Sequence, residues 1–403
     1  MILTIQPRDP LIVRDGRPFY AFPGAKVRGY SFPPPQVIAG AIRSRVGFGC
    51  GYRPGEQDKD KWRGLLNQVR ILGPVLFSLR TNEALFPAPL DALLVKLDSV
   101  DQNCESKPEA KQLRLYRLTP EEAGGDVATN LPEPLERPVF APAEMPKSKP
   151  EPMPAFWRKR HFDNWLLGDP ATSLEIDEPT ELGITGPEVE YRTHVKIDPN
   201  LQTAAESMLY ETSGLQFLHR AGNTITDVEE LALFVQVVGE GLSADCAAAM
   251  ENSLSGVHPL GGERRLALWG ARAEPAWPEK PPKEIVGEVK SSKRARLLLL
   301  TPADFNTDGN DLPFIPQSGM FGRAKTVAAA VGRPITVSGF DLAKGSPKPG
   351  RRLAPAGSVY FVDLGNVENI EAWVEEHWMK VLPEQPEQSQ RDGYGLTAVG
   401  VWR

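Results

Sequence analysis

Apolar and polar positions along the chain alternate between a period of two and a period near three and a half, the rhythms of strands and helices. Met1-Ile-Leu-Thr-Ile-Gln6 opens as a short buried strand. Val37, Ile38, Ala41, Ile42 and Val46 then form one apolar stripe on a proline-started helix over residues 35–46. Strands follow near 69–79 and 85–97, and again at 190–197, 208–218 and 231–238. Ser243 caps a second helix that runs to about Leu254, and Gly261-Gly262-Glu263-Arg264-Arg265 turns into the strand Leu266-Ala-Leu-Trp269. A second, tighter series begins with the strand Arg294–Leu300, followed by a helix over 318–330 and strands at 334–341 and 357–363. Asn366 caps a helix whose apolar positions are Val367, Ile370, Trp373, Val374 and Trp378, and Gly393-Tyr394-Gly395 turns into a last strand ending at Trp402. Both halves end as helix, glycine turn, strand. The order β-α-β-β-α-β, met twice, predicts an α+β chain of tandem ferredoxin-like (RRM-like, βαββαβ) domains, 1–275 and 276–403.

Residues 98–190 break the rhythm. Twelve prolines lie between Pro120 and Pro187, and residues 98–192 hold 19 Asp/Glu against 11 Lys/Arg. Proline removes a donor and fixes φ, so the run from Ala141 to Pro154 cannot be helix or central strand. The segment reads as a long Pro-rich, acidic surface insertion in the first domain. A chain of 403 residues exceeds one ordinary core, which also favours two domains. No apolar run is long enough to span a bilayer, no signal peptide opens the chain, and no membrane partner is expected. Cys50, Cys104 and Cys246 lie far apart with no CxxC spacing, as ordinary thiols of a reducing, cytoplasmic compartment do.

Charge adds a second layer. The whole chain carries −6, yet residues 1–45 hold seven Lys/Arg against two Asp, and residues 287–352 hold 11 basic against five acidic residues. Positive patches on an acidic protein point to a polyanionic partner. Glycine turns let backbone N–H groups approach an anion, and Arg264 and Arg265 follow the first turn at once. A single such turn more often serves φ > 0 alone, but two at equivalent places favour a ligand. The candidate residues for a polyanionic partner such as RNA are Arg14, Arg17, Lys26, Arg43, Arg45, His194, Gly261, Gly262, Arg264, Arg265, Arg294, Arg323, Lys325, Gly393, Tyr394 and Gly395. Tyr394 could stack on a base, or equally anchor a loop.

No metal-ligand spacing joins the five histidines, and Walker A, GxSxG and GxGxxG patterns are absent, so neither metal nor cofactor is expected. One catalytic reading stays open: metal-independent RNA cleavage with His194 or His219 as general base. Polar residues that support a strand are the commoner case.

Several pieces together resemble the RAMP superfamily of CRISPR-associated proteins. These are Asp9-Pro-Leu-Ile-Val-Arg-Asp-Gly-Arg-Pro-Phe19, Phe32-Pro-Pro-Pro with Gly40-Ala-Ile-Arg43, Thr212-Ser-Gly-Leu-Gln-Phe-Leu218, Leu260-Gly-Gly-Glu-Arg-Arg265, Leu299-Leu-Thr-Pro302, Pro355-Ala-Gly-Ser-Val-Tyr-Phe361 and Gly393-Tyr-Gly395. More narrowly they are similar to the subunit-three family of the type III-B (Cmr) RNA-guided effector complex. The resemblance implies a non-catalytic subunit acting in antiviral defence. It would bind the 5′ repeat-derived tag of the guide RNA (crRNA), dock the large polymerase/cyclase-like subunit and adjoin neighbouring backbone RAMP subunits. It also implies that both glycine turns, with Arg14, Arg17 and Arg43, line an RNA cleft between the domains, and that the insertion carries a protruding element. A repeat-processing endoribonuclease of the same superfamily, the analogous type III-A subunit and a pure protein adaptor are the alternatives.

Overall fold

The structure, a computed structural model, describes residues 1–15, 25–26, 29–53, 59–97, 113–122, 130–168, 174–222, 224, 227–305, 312–341 and 346–403. Its principal strands are β1 (Ile2–Pro7), β2 (Val69–Ser78), β3 (Glu83–Pro87), β4 (Ala92–Lys96), β5 (Leu113–Arg117), β6 (Phe156–Arg158), β7 (Leu174–Ile176), β8 (Gly183–Ile184), β9 (Glu188–Ile197), β10 (Ala204–Gln216), β11 (Leu218–Arg220), β12 (Val228–Gly239), β13 (Gly256–Pro259) and β14 (Leu266–Arg272). The later part adds β15 (Arg294–Leu299), β16 (Lys325–Ala330), β17 (Val359–Asp363) and β18 (Thr397–Val401). The helices are α1 (Pro35–Gly49), α2 (Lys59–Asn67), α3 (Lys159–Leu167), α4 (Ala244–Ser253), α5 (Lys283–Ser292), α6 (Ile370–His377) and α7 (Glu387–Asp392).

A nine-stranded sheet runs β8-β6-β3-β2-β12-β1-β14-β13, with β11 added beside β12. Its central four strands, β2-β12-β1-β14, are antiparallel neighbours. A four-stranded sheet has the order β16-β17-β15-β18, also antiparallel throughout. In chain order both quartets read second, third, first, fourth, so the same strand order occurs twice. The stripe of α1 (Ile38, Ala39, Ile42, Val46) packs on Leu3, Ile5, Leu233 and Trp269 of one face of the large sheet. The opposite face presents Phe77 and Phe234, stacked 5.1 Å apart, to a core shared with the second sheet. Burying each such side chain stabilises by about 1.5–3 kcal/mol.

Three expectations need correction. Residues 318–330 form no helix: Gly319 and Gly322 adopt φ of 89° and 63°, which breaks helical φ/ψ, and Lys325–Ala330 pairs with β17. Pairing and burial override the alanine-rich propensity there. The cap of α6 is Asn369, whose side chain accepts from the Ala372 N–H at 3.0 Å, not Asn366. Ser243 does cap α4, accepting from the Cys246 N–H at 3.3 Å.

The segment 98–190 is not a surface insertion throughout. Strand β5 pairs with β4 and β7 in a three-stranded sheet, and β6 joins the large sheet beside β3. Helix α3 follows at once and buries Phe162, Trp165 and Leu166. Phe162 stacks on Phe86 of β3 at 4.6 Å, while a Cβ on Gly168 at its C-cap would meet Val401 of β18 at 3.0 Å. One helix thus bridges both sheets. Its apolar spacing was present in the sequence but lay hidden among prolines.

Candidate nucleic-acid interface

Segment 11–14, the base of the β9–β10 ribbon and the turn 261–265 meet at one corner. Leu11 and Leu215 exchange both backbone hydrogen bonds at 2.9 Å, which fixes the segment to the ribbon. Gly261 has φ 74°, and a Cβ there would sit 2.6 Å from the Ile12 carbonyl oxygen. The Gly262 N–H donates to that same oxygen at 2.7 Å. The first glycine turn is therefore glycine because its own chain packs against it, and its N–H is already used.

Past the glycines the turn stays left-handed, with Glu263 at φ 56° and Arg264 at φ 52°, which throws Arg264 outward. Arg265 pairs with Glu263 at 2.8 Å. Arg264 is exposed, and no carboxylate pairs with it among the described residues. Across the gap Arg192 pairs with Glu190 on the ribbon. That contact lowers the Glu190 pKa and raises that of Arg192, whose charge is also felt by Asp9 and Glu263. His194 bonds Thr212 through Nε2 at 2.7 Å and stacks on Tyr210. Arg14 is exposed at the end of segment 11–14 and bridges to Gly29.

The ribbon supplies a feature that charge reading missed. Along β9 the odd positions Val189, Tyr191, Val195 and Ile197 make an apolar row, joined on β10 by Leu209, and all are exposed, Tyr191 by 68%. Alternation alone predicts one buried face, yet this face looks outward. Between it and segments 11–13 and 29–31 lies a cleft of about 540 Å³ lined by Val13, Tyr30, Tyr191, Glu211 and Ser213 among others. The clue in the sequence was the alternation from Glu188 to Ile197, interrupted only at Thr193.

Several predicted site residues lie elsewhere. Arg17 falls outside the described residues, as does the side chain of Lys26. Arg43 is half-buried at the junction of the halves, where it pairs with Asp392 and donates to Val69 O at 3.0 Å and Arg391 O at 2.8 Å. Arg45 donates to Ser253 O. Both are half-buried and already engaged by groups of the chain itself. Arg294 lies over the Trp402 ring at 5.1 Å, Arg323 pairs with Glu368, and Lys325 pairs with Glu136 at 2.6 Å.

The second glycine turn is corrected outright. Tyr394 is fully buried, with the Arg351 guanidinium 5.1 Å over its ring, so it cannot stack on a base. Burial raises its hydroxyl pKa well above the ordinary value. A Cβ on Gly393, at φ 87°, would meet the Gly73 carbonyl at 2.5 Å, and one on Gly395 would collide with the Gln385 amide. These glycines seat the last strand against the first half of the chain.

His219 and His161 are held below the usual imidazole pKa, chiefly by burial. Among the described residues no group of three or more His, Cys, Asp or Glu is placed to hold a metal ion, and no helix is long and apolar enough to cross a membrane.

A sequence profile of a family described as CRISPR-associated protein (Cas_Cmr3) matches residues 3–402. No curated protein matches the chain. Among solved structures it is similar to a chain of the type III-B Cmr-beta complex bound to cognate target RNA and AMPPnP, with 16% identity and a TM-score of 0.48 over 90% of this chain and 86% of that one. The same values hold for that complex bound to cognate target RNA alone. A chain of the Csm3–Csm4 subcomplex of the type III-A CRISPR-Cas interference complex matches with 11% identity and a TM-score of 0.38, over 89% of this chain and 92% of that one.

Proposed function

The chain belongs to the Cas_Cmr3 family of CRISPR-associated proteins, and from that membership we propose that it is a non-catalytic subunit of a type III-B RNA-guided effector complex that holds the 5′ repeat-derived tag of the guide RNA. The observation that carries the binding role is Arg264, an exposed guanidinium on a left-handed turn next to Arg265 and within the charge field of the ribbon's Arg192 and Glu190. Arginine pairs with phosphate in a fork and suits a backbone-tracking contact. Tyr191 and the apolar row beside it offer a surface on which unstacked bases rest. We assign that ribbon to the guide where tag meets spacer. The acidic remainder of the surface suits docking to basic faces of the large polymerase/cyclase-like subunit and of neighbouring RAMP subunits in the cytoplasm. Each quartet of strands is read as a ferredoxin-like unit, in 1–275 and 276–403, with the helix after β15 missing from the second among the described residues. An endoribonuclease role has less support, because His194, one of its two candidate bases, is engaged by Thr212 and Tyr210.

The test is binding of a guide RNA carrying its tag, measured across a salt series. Arg264→Ala with Arg265→Ala should weaken binding about tenfold or more, since hydrogen bonds to a charged group contribute about 1.5–3 kcal/mol. The slope of log K against log salt should become shallower by about one unit for each phosphate the variant no longer neutralises. Unchanged retention and slope would sink the assignment.

A further inference from the structure

Helices α1 and α4 lie antiparallel, and their meeting residues follow in order. Arg45 Nε of α1 donates to Ser253 O at the end of α4, 3.4 Å away. Next comes Gly49, where a Cβ would stand 3.0 Å from Ser253 Cβ and 3.1 Å from the Ala249 carbonyl oxygen. The missing side chain is what allows the helices this approach. One residue on, Cys50 is the C-cap of α1, and its Sγ lies 3.9 Å from the carbonyl oxygen of Cys246 in the first turn of α4. The Cys246 thiol also lies near enough to act on the Cys50 thiol, and both cysteines are half-buried rather than sealed. Two thiols 196 residues apart in sequence are thus held together by close backbone packing beside them.

We propose that Cys50 and Cys246 form a redox-responsive dithiol, a modification site that reacts with a low-molecular-weight disulfide of the glutathione type and closes into a disulfide joining α1 to α4. Burial, then the hydrogen bond and charge of Cys246, push the Cys50 thiol up to about 12, so the first attack belongs to Cys246. Its thiolate attacks one sulfur of the small disulfide, forming a mixed disulfide and releasing one small thiolate, which takes up a proton. Once Cys246 is capped, its share of the effect on Cys50 is gone. Cys50 loses its proton and attacks the Cys246 sulfur, the second small thiol leaves, and the protein disulfide forms. Two protein thiols are oxidised and one small disulfide is reduced to two thiols. Helix α1 also holds the second half of the chain, through Arg43 and through Gln36, which donates to Ser338 O at 2.8 Å. A staple at its far end therefore stiffens the junction as well as the first half. This inference is independent of the RNA-binding reading.

The experiment treats the full-length folded chain with glutathione disulfide, alkylates the remaining thiols and maps disulfide-linked peptides by mass spectrometry. The expected result is a Cys50–Cys246 link in the wild type and in Cys104→Ser, reversed by dithiothreitol and accompanied by a thermal midpoint several degrees higher. Cys50→Ser and Cys246→Ser should keep the reduced midpoint and show no oxidative rise. Cys50→Ala serves if the serine variant does not fold. Separate alkylation or separate glutathionylation of the two thiols overturns the proposal, and so does a link that runs to Cys104.

Discussion

Arg296 carries a charge into the centre of the molecule without any solvent exposure. Its guanidinium pairs with the equally buried Asp91 at 2.6 Å and donates to Val401 O at 2.8 Å and to Trp165 O. The Trp165 indole N–H donates to the other Asp91 oxygen at 2.9 Å. Every polar group of this knot has a partner, which is what makes a buried pair tolerable. Arg296→Met should therefore cost about 3–5 kcal/mol, because it leaves Asp91 charged and deprived of its cation. Arg296→Lys keeps the charge but loses the fork and should fall between, as read from urea midpoints. His377 shows the opposite solution to burial. Nδ1 bonds Trp373 O at 2.8 Å, the ring stacks on Trp373, and Nε2 faces no partner. Burial lowers its pKa below the ordinary 6.5, so the folded ring binds a proton less readily than the unfolded one. The stability from this site is complete above that value and drains away as pH falls below it. His377→Phe should lose less stability than the wild type between pH 6.5 and about 5, by urea unfolding at each pH; parallel curves would refute the assignment.

At the scale of elements, the two glycine turns do similar mechanical work in different surroundings. Gly261 lets β14 follow close against segment 11–13, and Gly393 lets β18 follow α7 close against β2. Gly393→Ala meets both a positive φ and the Gly73 carbonyl, so it should destabilise by about 2–4 kcal/mol. Its RNA affinity, measured on the fraction still folded, should match the wild type. Arg264→Ala should show the reverse, a binding loss with an unchanged melting curve. That contrast separates a structural turn from an exposed arginine. Helix α3 makes the same point about proline-rich sequence. Proline forbids regular structure only where it stands, and Phe156–Leu167 carries none, so a strand and a helix form there between proline-bearing stretches.

At the scale of the whole molecule, topology and packing divide the chain differently. The strand orders repeat in two halves, yet a single apolar core runs from Phe77 and Phe234 through Phe162 and Trp165 to Leu297, Phe361 and Val401. Residues 276–403 expressed alone would lose α3 from β18 and Asp91 from Arg296. That fragment should give poorly dispersed amide signals and a shallow, non-cooperative thermal transition. A fragment with full dispersion and a sharp melt would show that the second sheet is a free-standing domain.

The features legible along the chain were local ones. The stripe of α1, the Ser243 cap, the alternation of β9 and the demand for glycine at 261, 393 and 395 are set by period and by φ, which a few neighbouring residues encode. What the glycines face became visible only in the folded chain, because a missing Cβ looks the same whether a phosphate or the protein's own carbonyl fills the space. Folding likewise settled which arginines remain available. Arg43 and Arg296 are neutralised by Asp392 and Asp91, residues hundreds of positions away, whereas Arg264 is left outward by its turn. A charge counted along the chain is not yet a charge on the surface, since burial and pairing depend on contacts that no local pattern records.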